Sequence, residues 1–238
     1  ETGHYKNVAN LKALKTFAAG LGDNYTPQKD TLKLSYLETL VTEVTTLHEN
    51  VKNQQNTVAL AVDNRQLVFE NIKPLATKII NTMSATNVNE KTIEDAKPIN
   101  AKIQGTRVDK KKQTDNSESE TNKSSVSRQS YDSLYENFRA LVNLLQQDGN
   151  YSPEEEELNL TGLTTKQNEM LLANENIGME NNTLENLRIL RNKRFYTDEN
   201  CLINVAKGVK KYIRGKFGVT SPEFAQIKAL QFKDNSPK

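Results

Sequence analysis

Residues 24–40 read NYTPQKDTLKLSYLETL, and residues 150–166 read NYSPEEEELNLTGLTTK. The two stretches share an Asn-Tyr-(Thr/Ser)-Pro opening, after which leucines fall at matching positions such as Leu37 and Leu163. Similarity at this spacing continues downstream, and self-similarity of this kind is the signature of internal repetition. The sequence therefore predicts a chain built from two copies of one unit.

A sevenfold apolar series runs through each copy. In the first copy the series is Leu37, Val44, Val51, Val58, Ile72 and Ile79, with Arg65 at the one position that is not apolar. Such heptads are typical of the seam of a long, bundled helix. Because the phase does not slip, we expect one helix over about 31–85 and a counterpart over about 157–216, with no turn at 53–57. Pro74 should kink the first helix, because proline has no N–H to donate.

Shorter amphipathic segments flank the long ones, at 9–21 and 135–147, while 93–103 and 221–230 close the two halves. Ser221 is the expected N-cap of the last of these, with Pro222 in the first helical turn. Gly and Pro are scarce, at 10 and 6 residues, which suits helices better than turn-rich β-structure.

The fold predicted from these patterns is all-α. We expect an elongated helical bundle in which two long antiparallel, coiled-coil-like helices are flanked by short ones, with a four-helix bundle at each end. The first repeat covers 1–108 and the second 129–238, and the two intertwine as one structural unit. The stretch between them, 109–128, has almost no apolar residue, which predicts a disordered linker.

Composition bounds the function weakly. The 32 basic and 30 acidic residues nearly cancel, so no global field favours nucleic acid or an anionic membrane. A lone cysteine excludes an intramolecular disulfide, and no apolar run approaches the roughly 20 residues of a membrane span. The chain opens without Met. We expect a soluble protein that is cytoplasmic or, if a leader preceded Glu1, secreted or surface-exposed.

The charge at Arg65 calls for a partner inside the bundle. If two antiparallel long helices cross near Val58 and Leu184, Glu175 and Glu49 lie within two residues of the levels of Arg65 and Arg191. We therefore predict reciprocal structural ion pairs, Arg65 with Glu175 and Arg191 with Glu49. Pairs of this kind fix register more than they add stability, because desolvation offsets the attraction.

The residues that carry enzyme chemistry are sparse. A di-metal bundle needs two Glu-x-x-His pairs on facing helices. The sequence offers only Glu1 with His4, since the residue three before His48 is Thr45. No phosphate loop, nucleophile elbow or zinc spacing is present in the sequence. Cys201 matches the apolar position of Leu75, which favours a buried side chain over a nucleophile. The sequence therefore predicts no catalytic residue, metal or cofactor, and a protein that is not an enzyme.

A basic stripe with interleaved aromatic residues stands out near the end of the second copy. Its candidate contacts to a nucleic acid or a protein partner are Arg188, Lys193, Arg194, Lys207, Lys210, Lys211, Arg214 and Lys216. Lysine and arginine in such a stripe can contact phosphates while aromatic side chains stack on bases. A solvated helical face, with cations suited to the C-terminal end of the helix dipole, explains the same residues.

Several segments resemble a family of uncharacterised all-helical proteins with an internal duplication, common in Bacteroidota. They are VKKYIRGKFGVTSPEFAQIKALQF (209–232), YKNVANLKALKTF (5–17), LRILRNKRFY (187–196) and the two Asn-Tyr-(Thr/Ser)-Pro loops. FGVTSPE is the most specific of these. The resemblance implies a bacterial protein, helicity and duplication, and it carries no catalytic residue across.

A long helical bundle without catalytic residues is best explained as a scaffold or binding module for another macromolecule, most simply a protein. The alternative is a nucleic-acid-binding protein that uses the 188–216 stripe. The sequence does not give the identity of the partner or the oligomeric state.

Overall fold

The computed structural model describes residues 2–105 and 129–235, and every regular element in those ranges is helical. The predicted all-α class is therefore confirmed. The linker predicted at 109–128 lies outside the described residues. The α-helices are α1 Thr2–Gly20, α2 Leu34–Phe69, α3 Ile72–Met83, α4 Glu90–Gln104, α5 Tyr131–Asp148, α6 Leu160–Asn192, α7 Leu202–Phe217 and α8 Pro222–Lys228.

Neither long helix is interrupted near its middle. α2 continues across 53–57 and α6 across 179–183, as the constant heptad phase predicts.

Both long helices nevertheless end earlier than predicted. α2 stops at Phe69, and α3 begins at Ile72, which places Pro74 in the first turn of α3. In a continuous helix the N–H of residue 74 would bond to the carbonyl of Glu70, but proline lacks that N–H and its ring crowds the carbonyl. The break at 70–71 therefore lies one turn before the proline. A kink within one helix was the wrong expectation.

The second break has a different form. α6 ends at Asn192 and is followed by a π-helical turn, Lys193–Thr197, before α7 begins with Cys201 as its N-cap residue. The predicted continuous helix over 157–216 is therefore wrong as well. Cys201 itself is fully buried, as expected for an apolar role.

α3 and α7 share a pattern of burial. Buried residues of α3 have buried counterparts in α7 that lie 130 positions later, namely Ile72 with Leu202, Ala76 with Ala206, Ile79 with Val209 and Met83 with Ile213. This spacing exceeds that of the Asn-Tyr-(Thr/Ser)-Pro loops by four residues. Four residues are about one helical turn, and the π-helical turn with its short connection accommodates them.

The chain forms two compact units, each with its own core. Unit 1 comprises Glu1–Val58 and Glu180–Lys238, and unit 2 comprises Ala59–Met179. In unit 1 the core gathers side chains of α1, the first part of α2, and α7. In unit 2 it gathers side chains of α3, α4, α5 and the first part of α6.

A tyrosine of each Asn-Tyr-(Thr/Ser)-Pro loop enters a core. Tyr25 is buried in unit 1 and its hydroxyl donates to the carbonyl of Leu32 at 2.7 Å. Tyr151 is buried in unit 2, and its hydroxyl has no hydrogen-bond partner among the described residues. Burial raises the pKa of both phenols, that of Tyr151 to about 12 with a smaller contribution from the charge of Glu155. Both tyrosines thus anchor a loop that precedes a long helix, but only the hydroxyl of Tyr25 forms a hydrogen bond among the described residues.

The predicted cap at Ser221 is confirmed. Its side-chain oxygen accepts from the N–H of Phe224 at 3.1 Å, and Pro222 is the first helical residue of α8.

Candidate functional site

The basic stripe divides into residues that the fold uses and residues that face solvent. Arg188 pairs with Glu185 at 2.6 Å, and Lys216 donates to the hydroxyl of Thr26 at 3.4 Å. Lys193 is exposed beside a groove of α2 and the π-helical turn. The contacts of Arg188 and Lys216 lie at the surface, where an ion pair or hydrogen bond to a charged group contributes little to stability.

Arg194 is a structural residue of unit 1. Its guanidinium pairs with Glu43 at 2.6 Å, donates to the carbonyl of Asn200 at 2.8 Å and reaches the hydroxyl of Tyr36 at 3.4 Å. Burial opposes the charge, but the bonds to Tyr36 and Glu43 outweigh burial and raise the pKa of Arg194. The arginine therefore ties the π-helical turn to α2.

Lys210 is likewise occupied. Its ammonium donates to the carbonyls of Lys228 at 3.2 Å and Leu230 at 2.8 Å, and partial burial lowers its pKa. Lys210 therefore holds the end of α8 against α7.

Besides Lys193, three residues of the stripe remain for a partner, and these three lie together on α7. Lys207, Lys211 and Arg214 are exposed, and across 2–105 and 129–235 none of them forms an ion pair. Their spacing of four and three residues places them on one face of α7, over about 10 Å along the axis. α7 contains no acidic residue. The residues 130 positions earlier are Thr77 and Asn81 of α3 and Ser84 just after it, and none of these is charged.

The predicted ion pair between Arg65 and Glu175 is not formed. The guanidinium of Arg65 lies over the ring of Tyr131, with Cζ 4.2 Å from the centroid, while Glu175 is exposed. The reason is that α5 supplies the residue that covers the guanidinium. In unit 2, Asp132, next to Tyr131, accepts from Asn174 at 3.1 Å, so the first turn of α5 lies at this level and supplies the ring that covers the charge.

The pair predicted between Arg191 and Glu49 is not formed either. Arg191 is buried and donates from Nε and Nη2 to Oδ1 of Asn192 at 3.2 and 3.1 Å. Glu49 is exposed. The contact between the long helices in unit 1 joins Gln54 and Glu180, each four residues before the expected level of Val58 and Leu184, so Arg191 and Glu49 do not lie at one level.

A buried polar cluster in unit 1 was missed by sequence reasoning. Nδ1 of His4 lies 2.6 Å from the hydroxyl of Tyr196, and the amides of Asn7 and Asn235 each approach that oxygen at 3.5 Å. His4 and Asn7 are almost fully buried. Burial raises the pKa of Tyr196, although these amides and the charge of Arg191 oppose the rise. Residues about 190 positions apart meet here, and no local pattern signals such a meeting.

A groove in unit 2 lies where α3 faces the start of α6. It encloses about 1150 Å³ and is lined on its two sides by residues that include Pro74, Lys78, Glu157 and Glu169. Lys78 and Glu157 pair across it at 2.8 Å. Nowhere in the described parts of the chain do three or more His, Cys, Asp or Glu side chains come together in a way that could hold a metal ion.

Comparison with known proteins finds no matching family model, no matching curated protein and no matching solved structure. Over the part of the chain that the structure describes, no helix combines the length and apolar character needed to cross a membrane.

Proposed function

We propose that this protein is a non-enzymatic helical scaffold or binding module whose partner is another protein. The observation that carries the proposal is a set of large apolar side chains left in water on unit 2. They are Leu60 and Leu67 of α2 and Leu172 and Met179 of α6, each between 61 and 68% exposed. Grouped exposed apolar residues of this size are typical of docking surfaces.

The spacing within each helix supports one surface. Leu60 and Leu67 are seven residues apart, as are Leu172 and Met179, so each pair lies along one helical face. These four residues are named the apolar ridge below.

The register between the helices aligns the two pairs. Through Tyr131 and its neighbour Asp132, Arg65 and Asn174 lie at one level, and the pair Lys78–Glu157 shows that the segments run in opposite directions. Two residues beyond Arg65 is Leu67, and two before Asn174 is Leu172. Leu60 lies five residues before Arg65, and Met179 lies five residues after Asn174. On this register Leu67 lies near the level of Leu172, and Leu60 near the level of Met179.

Charge around the apolar ridge indicates the kind of partner. The exposed charged residues between the members of the apolar ridge are Asp63 and Glu175, both acidic. Glu169, just before Leu172, pairs with Lys166 at 3.6 Å. Complementary charge at the rim of an interface steers association and excludes wrong partners. A protein surface with an apolar centre and a basic rim fits best.

Photo-crosslinking tests the proposal. A photoreactive side chain at Leu67 or Leu172 should capture a partner in the cells that make the protein, and the capture should fail when the rest of the apolar ridge is changed to serine. Val219→Ser is the matched control, because Val219 is also exposed but lies in unit 1. Equal capture by ridge and control variants would overturn the proposal, and sedimentation velocity would reveal whether the captured chain is a second copy.

A nucleic-acid-binding role is the second candidate, and the basic face of α7 favours it. If Lys207, Lys211 and Arg214 neutralise three phosphates of a duplex, a plot of log binding constant against log salt concentration should be steeper by about three than for a chain without these charges. Neutralising the three to Gln should remove that difference. The charge-matched control changes the exposed Lys12, Lys52 and Lys102 instead, and an equal effect of both triple variants would reject a specific role for α7.

A further inference from the structure

A side chain of α1 holds the backbone of an extended segment in unit 1. Oδ1 of Asn7 accepts from the N–H of Lys233 at 3.1 Å, and Nδ2 of Asn7 donates to the carbonyl of Lys233 at 2.7 Å. One buried amide thus satisfies both backbone groups of one residue, as a neighbouring strand would.

Two further side chains extend this contact along the segment. Asn10, one turn after Asn7, donates to the carbonyl of Gln231 at 2.7 Å. Lys210 donates to the carbonyl of Leu230. All of these bonds reach backbone atoms, so they select an extended path without selecting the side chains on it.

The side chains of residues 230–235 supply the remaining pattern. Leu230 and Phe232 pack against the core of unit 1, whereas Gln231 and Lys233 are exposed. This alternation is that of an extended chain with one buried face. Beside the segment, a cavity of about 210 Å³ is lined by Gly3, Lys6, Asn7, Gln231, Lys233 and Asn235.

We propose that this surface of α1 and α7 is a binding site for an extended peptide segment of a partner protein, with apolar side chains at alternate positions. Residues 230–235 occupy the site within the chain. A partner segment of the same pattern takes over the bonds to Asn7, Asn10 and Lys210 when the chain's own segment leaves. The inference concerns unit 1 and does not depend on the apolar ridge of unit 2.

The competing segment decides how the test is designed. A tethered segment acts at an effective concentration of about millimolar, so a free peptide binds the unaltered chain weakly. Phe232→Ser weakens the tethered segment and leaves the site intact. A labelled peptide of sequence ALQFKDN, which reproduces residues 229–235, should bind this full-length variant at least tenfold more tightly than the unaltered chain by fluorescence anisotropy.

Matched controls separate the site from general stickiness. Adding Asn7→Leu to Phe232→Ser should abolish peptide binding, whereas adding Asn137→Leu should not, because the amide of Asn137 bonds to the carbonyl of Ser133 within its own helix. A peptide with serine in place of its Leu and Phe should not bind. Absent binding to a folded Phe232→Ser chain, or binding that survives Asn7→Leu, would overturn the proposal.

A second measurement avoids the variants altogether. In the unaltered chain the Lys233 amide should be protected from hydrogen exchange by Asn7. Millimolar unlabelled peptide should accelerate this exchange as the chain's own segment is displaced. An exchange rate that does not change with peptide also overturns the proposal, even if Phe232→Ser fails to fold.

Discussion

The guanidinium of Arg65 stacks on the ring of Tyr131, 4.2 Å from its centroid. Nε of Arg65 is buried and has no hydrogen-bond partner within the described ranges 2–105 and 129–235. The aromatic face of Tyr131 is therefore the electrostatic contact that offsets part of the desolvation. Tyr131 also meets Phe69 edge-on, at 4.9 Å between ring centroids. A charge at an apolar heptad position of α2 is therefore covered by the first turn of α5.

A double-mutant cycle should detect this stack. Arg65→Met and Tyr131→Leu should show a coupling of about 1 kcal/mol in the free energy of unfolding, the range of a partly desolvated cation–π pair. The cycle of Arg65→Met with Glu175→Gln should show none. Urea unfolding measures both, and coupling to Glu175 in place of Tyr131 would contradict the assignment.

Much of the fold could be predicted from local patterns, because heptad phase and caps are local signals. The constant phase correctly excluded a turn at 53–57, and Ser221 marked the start of α8. The break at 70–71 could have been found too, since Pro74 removes the N–H that a continuous helix needs one turn after Glu70.

The candidate sites were harder to predict because they depend on which neighbouring side chain covers each charge. In unit 2 Tyr131, rather than Glu175, lies against Arg65. In unit 1 Arg191 bonds to Asn192, and Glu49 is exposed. The sequence shows which residues of the basic stripe are charged, but it does not show which of them, such as Arg194 and Lys210, form bonds within the protein. The His4–Tyr196 contact joins residues that no periodicity relates.

The two loop tyrosines predict unequal effects of removing a hydroxyl. Tyr25→Phe should destabilise unit 1 by about 1 kcal/mol, since it leaves the carbonyl of Leu32 without its bond. Tyr151→Phe should be neutral or stabilising, because the buried hydroxyl it removes has no partner. Urea unfolding at pH 7 measures the difference, and equal losses would contradict it.

The same tyrosines predict loss of stability at high pH. The folded-state pKa of Tyr151 is about 12, above the unfolded value of about 10. The neutral phenol is therefore favoured by folding, and its contribution is complete below pH 10 and lost as the pH rises towards 12. Tyr151→Phe should flatten the fall of the unfolding free energy across this window. An unchanged slope would show that the phenol does not titrate with folding.

Gln54 and Glu180 predict a register effect. Nε2 of Gln54 donates to the carbonyl of Glu180 at 3.1 Å and to its carboxylate at 2.5 Å. Gln54→Leu should cost about 1–2 kcal/mol, because it leaves a half-buried carboxylate without its donor. Adding Glu180→Leu should recover most of that loss, since both polar groups are then replaced. Urea unfolding decides, and additive losses would mean that the two residues act independently.

Two glycines of α6 should respond in opposite directions to the same substitution. A Cβ at Gly162 would collide with the backbone carbonyl oxygen of Glu156, whereas one at Gly178 meets nothing within 4 Å. Gly178→Ala should stabilise the protein by about 0.5–1 kcal/mol through helix propensity. Gly162→Ala should destabilise it by at least about 2 kcal/mol, because the backbone before α6 must move. Thermal and urea unfolding measure both variants, and each serves as the control for the other because both glycines lie in α6. Stabilisation by Gly162→Ala would show that Glu156 does not approach the helix so closely.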